Sequence, residues 1–304
     1  MLKPAPVVLF AYRRPNHLSR TLRALKHNEL AKSTDLIVYC DAAKTEAHSS
    51  EVNAVREIVK KTDGFASVRY VFRQRNMGLA ESTIDGLTEV LKEHERAIML
   101  EDDNVTSPYF LTYMNEALEK YSNDDRVISI HGYMYPVKET LPEAFFIPGA
   151  DTWGWGTWRR GWALFDRDGK KLLDELKRRG LLKKFDFNGA YPFSKMLEGQ
   201  IRGANNSWSI RWYASAFLAG KLTLYPSRSL VQNIGHDDSG THCAGSDVYD
   251  VDLRLTPIDL SNVQVTASLE GLKSFENFFR QTRRKDLLGK VLRRIKKTLS
   301  KTTA

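Results

Sequence analysis

Cysteine is nearly absent: Cys40 and Cys243 are the only two among 304 residues. Two thiols so far apart frame no disulfide scaffold and make no pair at metal-ligand spacing, so a reducing compartment is expected. Long apolar runs are missing too. No stretch approaches the roughly 20 apolar residues that cross a bilayer. Pro6 to Ala11 is short and is followed at once by Arg13 and Arg14, unlike a secretory leader, so the expected location is the cytoplasm. The chain also lacks internal repeats, and its first strand pattern runs into Tyr12-Arg13-Arg14-Pro15 where a triphosphate cradle needs a Gly-rich loop with a downstream Lys.

What remains is an ordinary globular composition, 42% hydrophobic and 27% charged, long enough for one large domain or two fused halves. The net charge of +9 is concentrated: residues 280–304 hold ten Lys or Arg against Asp286 alone, which leaves the body near neutral. Strand patterns at Val7–Ala11, Leu36–Asp41, Val68–Phe72, Ala97–Leu100 and Val127–His131 alternate with helical patterns at Asn16–Lys26, Glu46–Lys61, Leu79–Glu93 and Pro108–Tyr121. Right-handed crossovers stack such units into a mostly parallel sheet covered on both faces. Ser107-Pro108 predicts a helix start, with Ser107 as cap, and Asn76-Met77-Gly78 breaks the chain before the third helix.

The main chemical signal is Glu101-Asp102-Asp103, three carboxylates placed where the apolar run Ala97–Leu100 stops. Ligands of open α/β sheets bind at that rim, and a cation or donor-rich ligand offsets the mutual repulsion. The competing reading is a solvated turn. Beyond Gly132 aromatics crowd in: all six tryptophans lie between Trp153 and Trp212. Aromatic rings suit the apolar faces of sugars, and equally suit a core.

These segments together, Pro6–Pro15, Asp41, and Ala97–Asp103 followed by Ser107-Pro108-Tyr109-Phe110, resemble the nucleotide-sugar half of GT-A-fold glycosyltransferases. The likeness is to N-acetylglucosaminyltransferase I and to bacterial family-2-like sugar transferases. It covers residues 5–135 well and 145–245 loosely. It implies an α/β GT-A fold with a Rossmann-like, mostly parallel sheet: a nucleotide-sugar half over 1–135, an acceptor half over 136–270 and a tail over 271–304. It further implies a Mn²⁺ or Mg²⁺ ion on Asp103, with Asp102 and Glu101 serving the ribose and the water shell. Arg14 reaches the diphosphate, and Asp41 accepts the imide proton of uracil, hence a UDP-sugar donor. Ala11, Tyr12 and Asn76 complete the nucleotide side. By the same likeness His242 in Gly240-Thr241-His242 completes the metal shell, with His236 as its competitor, and surface loop histidines are the plain alternative. The Gly-rich stretch Ile147–Gly156 puts Trp153, Gly154 and Trp155 near sugar and acceptor, and Trp208 and Ser209 are expected on the same sugar-facing side. The family chemistry makes these types sensible: negative charge grows on the departing diphosphate, and a divalent cation and a guanidinium fork stabilise it.

The base is less direct. In the family an Asp lies within a Trp-Asp-Asp-Trp or Trp-Asp-x-x-Trp segment; here the stretch reads Trp208-Ser209-Ile210-Arg211-Trp212, and a Ser hydroxyl is too weak a base. Glu198, Asp151 and Asp238 are the candidate substitutes for an inverting reaction, Glu198 first; a retaining mechanism or lost activity are the alternatives. Glu198 otherwise reads as an exposed helix acid. In the tail, Phe275, Phe278, Phe279, Leu287, Leu288, Val291, Leu292, Ile295 and Leu299 recur at spacings of three and four between basic residues. A cationic amphipathic helix of this kind binds an anionic inner membrane face, each basic residue contributing on the order of 1 kcal/mol; a solvated or core-packed helix is the plain alternative. No basic groove in the body calls for nucleic acid. The expectation is a peripheral glycosyltransferase of bacterial surface polysaccharide synthesis, acting on a lipid-linked or free oligosaccharide. A sugar-phosphate nucleotidyltransferase and a non-catalytic nucleotide- or glycan-binding protein are the alternatives.

Overall fold

The computed structural model describes residues 3–237 and 247–284. Asp238, His242 and the basic run beyond 284 lie outside the described residues. The first half runs β1 (Val7–Ala11), α1 (Pro15–Lys26), β2 (Asp35–Cys40), α2 (Ser49–Lys60), β3 (Ser67–Phe72), α3 (Gly78–Glu93), β4 (Arg96–Glu101), β5 (Asn104–Thr106), α4 (Phe110–Lys120) and β6 (Val127–His131). The second half runs β7 (Ala144–Pro148), β8 (Trp155–Trp158), α5 (Arg159–Trp162), α6 (Gly169–Arg178), α7 (Leu182–Phe185), α8 (Phe193–Ile201), α9 (Trp208–Leu218), β9 (Leu222–Pro226) and β10 (Val231–Asn233), then a helix over 269–284, α10.

Eight strands form one sheet in the order β3-β2-β1-β4-β8-β6-β9-β7, and β5 pairs with β10 in a small second sheet. Four of the seven pairings in the large sheet are parallel; β8 is antiparallel to both neighbours and β7 to β9. The two halves of the chain therefore share one sheet. From β1 the chain first moves outward through β2 to β3, then crosses back to lay β4 on the other side of β1. That reversal is a switch point beyond the ends of β1 and β4, the place where open α/β sheets take ligands.

Why β1 reads as an unbroken apolar run is plain from its two faces. Val7, Leu9 and Ala11 pack with Leu18, Leu22 and Leu25 of α1, Val55 and Val59 of α2, and α4. Val8 and Phe10 pack with Ile84, Leu87 and Val90 of α3. The α3 face also takes Trp155, Trp162, Trp208 and Trp212, whose ring centroids lie 5.3–6.4 Å apart. A third core joins α6, α8 and α9 to Phe275, Phe278 and Phe279 of α10, so the aromatic part of the tail is packed against the body.

One boundary differs from the sequence reading. The fourth helix starts at Phe110, and Ser107 sits in the preceding turn, where its hydroxyl accepts from Tyr109 N at 3.2 Å.

Trp155 is 1% exposed. Trp155→Ala is expected to lower stability by about 3–5 kcal/mol, and Trp153→Ala, at a half-buried position, by clearly less. Denaturant unfolding measures both, and equal losses would make Trp153 a core residue as well.

Candidate functional site

The chain leaves β1 at Ala11, and the next three residues turn back over the end of β4. Tyr12 N donates to Asp102 Oδ2 at 3.1 Å. Arg14 Nη2 donates to Asp102 Oδ1 at 2.8 Å and to Asp103 Oδ2 at 2.6 Å, so one guanidinium bridges both carboxylates. Asp102 and Asp103 are 4% and 6% exposed, a degree of burial that two adjacent anions tolerate only when paired. Asn104 locks the turn: its Nδ2 donates to Asp103 Oδ1 at 2.9 Å and its Oδ1 accepts from Glu101 N at 3.1 Å.

Charge and burial oppose each other here. Burial works against the Arg14 charge, and the attraction of Asp102 and Asp103 outweighs it, holding the guanidinium more firmly protonated than an ordinary arginine. Desolvation raises the Asp102 carboxyl, against the pull of Arg14. Glu101 is pushed up to about 8, first by desolvation and then by repulsion from Asp103 and Asp102. The cluster thus carries less negative charge at neutral pH than its three acids suggest.

Residues from the far end of the chain close over the acids. Ile234 N donates to Asp103 O at 2.9 Å, and Gly235 passes so near that a Cβ there would sit 2.2 Å from Asp103 Oδ2. Only glycine allows that approach. His236 follows, its ring 5.1 Å from that of Tyr249 and 5.3 Å from that of Trp153, with Nε2 buried and without a hydrogen bond. Desolvation lowers the His236 pKa, against the nearby Asp103 and Asp250 charges, and keeps the ring neutral. Asp237 lies 3.1 Å from His17 Nε2 on α1.

Trp153 links this cover to Asp151. Its N–H donates to His131 Nε2 at 3.1 Å, and Gly154 takes the positive φ of 62° that turns the chain into β8. Asp151, half-buried, accepts from Tyr135 O–H at 2.7 Å and from Thr152 N at 2.8 Å. Asp103, Gly235, His236 and Trp153 therefore form one contiguous run, and Asp151 is tied to it at one remove, through the rings of Tyr135 and Tyr133.

Other expected residues fall elsewhere. Asp41 is engaged in structure: its carboxylate accepts from Ala42 N, Met77 N and Gly78 N at 2.8–3.1 Å, anchoring the start of α3. Asn76 Nδ2 donates to Ala42 O, so both residues brace the end of β2. Trp155 and Trp208 are core residues, corrected from the sugar-facing role because their rings pack among the other tryptophans. Glu198 lies on α8, paired with Lys195 at 3.0 Å and facing Arg202 at 3.9 Å. Those cations lower its pKa, the hydrogen bond from Lys195 most, and make it a poor base. Ser209 exchanges a hydrogen bond with Ser207. Sequence reasoning passed over Asn104, Gly235 and Tyr135; an Asx directly after the acid triplet was the one available signal.

Among the described residues no group of three or more His, Cys, Asp or Glu is placed to hold a metal ion. The donor chemistry nevertheless fits one. Hard carboxylate oxygens suit Mg²⁺ or Mn²⁺, which take one or two carboxylates and complete their shell with substrate phosphates and water. Arg14 already marks the place where positive charge is needed.

Because the Glu101 pKa is raised, the neutral form is favoured in the folded state. Its contribution is fully present below about 4.5 and is lost as pH rises towards 8. Thermal unfolding from pH 5 to 9 is expected to show this decline in wild type and a flatter profile in Glu101→Gln; identical profiles would contradict the assignment.

No protein-family model matches the chain, and no curated protein does. Solved structures with partial likeness include the mannosyltransferase PcManGT from Pyrobaculum calidifontis in complex with GDP-Man and Mn²⁺, at 16% identity over 44% of this chain and 36% of that one, TM-score 0.32. S. aureus TarS, residues 1–349, matches at 12% identity over 53% and 48%, TM-score 0.36. The 4-diphosphocytidyl-2C-methyl-D-erythritol synthase of Anaerococcus prevotii matches at 14% over 53% and 73%, TM-score 0.34. The chain thus spans about a third of the mannosyltransferase and half of the TarS fragment. At such overlap the likeness decides nothing about activity.

Proposed function

We propose that the protein is a glycosyltransferase that moves a sugar from a nucleoside diphosphate sugar to a glycan acceptor with inversion, using Mn²⁺ or Mg²⁺. The observation that supports this most is the Arg14 guanidinium bridging Asp102 and Asp103 at the reversal point of the sheet. Cleavage of the sugar–phosphate bond leaves charge on the diphosphate, and a site for it needs preorganised positive groups in a water-poor crevice.

In this reading Arg14 swings part of its fork from the carboxylates to diphosphate oxygens, for which its planar donors are shaped. Asp103, freed on one oxygen, would hold the cation together with His236 or His242. The cation, when bound, neutralises charge on the leaving diphosphate. Tyr12 and Asp102 shape the ribose side. Asp41, which anchors the loop after β2 to the start of α3, accepts the imide proton of uracil with its remaining lone-pair capacity; UDP is the first nucleotide to test. Asp151 takes the proton of the acceptor hydroxyl as its oxygen forms the new bond to the anomeric carbon and the diphosphate departs. Its Tyr135 hydrogen bond orients the carboxylate, and the rings of Tyr135, Tyr133, Trp153 and His236 lead from it towards the acidic site. Asp238 remains the competing base. A lipid-linked acceptor at the inner membrane face accords with the basic residues beyond 280.

Transfer or hydrolysis assayed over a panel of nucleotide sugars with Mn²⁺ tests this. Asp103→Ala is expected to lose donor binding and at least 100-fold in turnover. Asp151→Asn should retain donor binding while losing a similar factor in turnover, and Glu198→Gln should stay within about twofold of wild type. Donor binding by wild type and Asp103→Ala alike, with turnover by neither, would favour a binding protein.

A further inference from the structure

A groove of about 300 Å³ opens between α1 and β5. Its floor is Val105, Thr106 and Pro108, just downstream of Asp103, and its wall is Arg20, Arg23 and His27. Residues three apart share a helix face, so the Arg20 and Arg23 guanidinium groups stand together along α1, with His27 just past its end. That helix contains no acid among its 12 residues.

The charge is left uncompensated selectively. Arg13 pairs with Glu51, Arg14 with Asp102 and Asp103, and Lys26 with Asp63. The side chains of Arg20 and Arg23, which line the groove, have neither ion pair nor hydrogen bond among the described residues. Like charges at this spacing destabilise a helix by a few tenths of a kcal/mol, and an anion in the groove relieves that repulsion. Guanidinium forks match phosphate oxygens in pairs.

We infer that this groove binds a phosphate or diphosphate group carried by the acceptor. The inference rests on the glycosyltransferase reading and deepens it by naming the acceptor's chemistry. Arg20 stands six residues beyond Arg14, about 9 Å along the helix axis. Midway, His17 touches Asp237 in the segment that covers Asp103. The groove and the acidic site thus lie along one helix, spaced for an acceptor whose hydroxyl enters the acidic site while its charged group lies along α1.

The test titrates the full chain with inorganic pyrophosphate, and separately with UDP and Mn²⁺. Arg20→Gln/Arg23→Gln is expected to weaken one pyrophosphate site at least tenfold and leave UDP binding within twofold; Arg14→Gln should do the reverse. Unchanged pyrophosphate binding in the double variant would overturn the proposal. Wild type that binds pyrophosphate through Arg20 and Arg23 but never binds UDP would uphold the groove and overturn the donor-site reading. Flotation with phosphatidylcholine vesicles carrying a polyprenyl diphosphate should show the tenfold loss, whereas a loss confined to phosphatidylglycerol vesicles would assign the groove to membrane headgroups and overturn the acceptor role.

Discussion

Two adjacent buried carboxylates cannot coexist at the rim of a sheet without a cation between them, and Arg14 is that cation. Its position depends on the strand order. Because β4 is laid against β1 after the chain has gone out to β3 and returned, residues 90 positions apart in sequence meet side by side, as the Tyr12 N to Asp102 bond records. The interaction is strong enough to hold the crevice in shape, yet a guanidinium can exchange one oxyanion for another at little cost in geometry. A phosphate group arriving there finds a donor already oriented.

The cover over this pair is built from the opposite end of the described chain. Ile234 and Gly235 lie on the Asp103 turn, and His236 stands between Trp153 and Tyr249. Tyr249 in turn touches Phe278 of α10, and Tyr135, the partner of Asp151, touches Phe275, Phe278 and Phe279. The helix that begins the basic tail is therefore part of the wall behind the site. Removing it would loosen Asp151 and His236 as well as any surface attachment.

Much of the first half was legible in the sequence. Strands buried on both faces give continuous apolar runs, and those at Val7–Ala11 and Val127–His131 have the bounds read from the pattern. The acid triplet and Arg14 were legible because charged groups directly after such runs must lie at a rim. The second half was less so: aromatics crowd its pattern, and β8 reads Trp-Gly-Thr-Trp, whose apolar side chains could equally meet a ligand or a core. The tryptophans resolved towards the core, except Trp153, since only a fold tells which face of β8 and α9 meets α3. Asp41 is ambiguous for a related reason: a carboxylate at the end of a strand serves a nucleotide or the first N–H groups of a helix, and the bonds from Met77 and Gly78 become readable only once β2 and α3 are adjacent.

The most direct measurement is a crystal structure of the protein soaked with UDP and Mn²⁺. The account predicts the diphosphate in the crevice between β1 and β4, contacted by Arg14, with the ion on Asp103 and the segment of Gly235 and His236 alongside. A nucleotide bound elsewhere, with the Arg14 bridge to Asp102 and Asp103 unaltered, would contradict it.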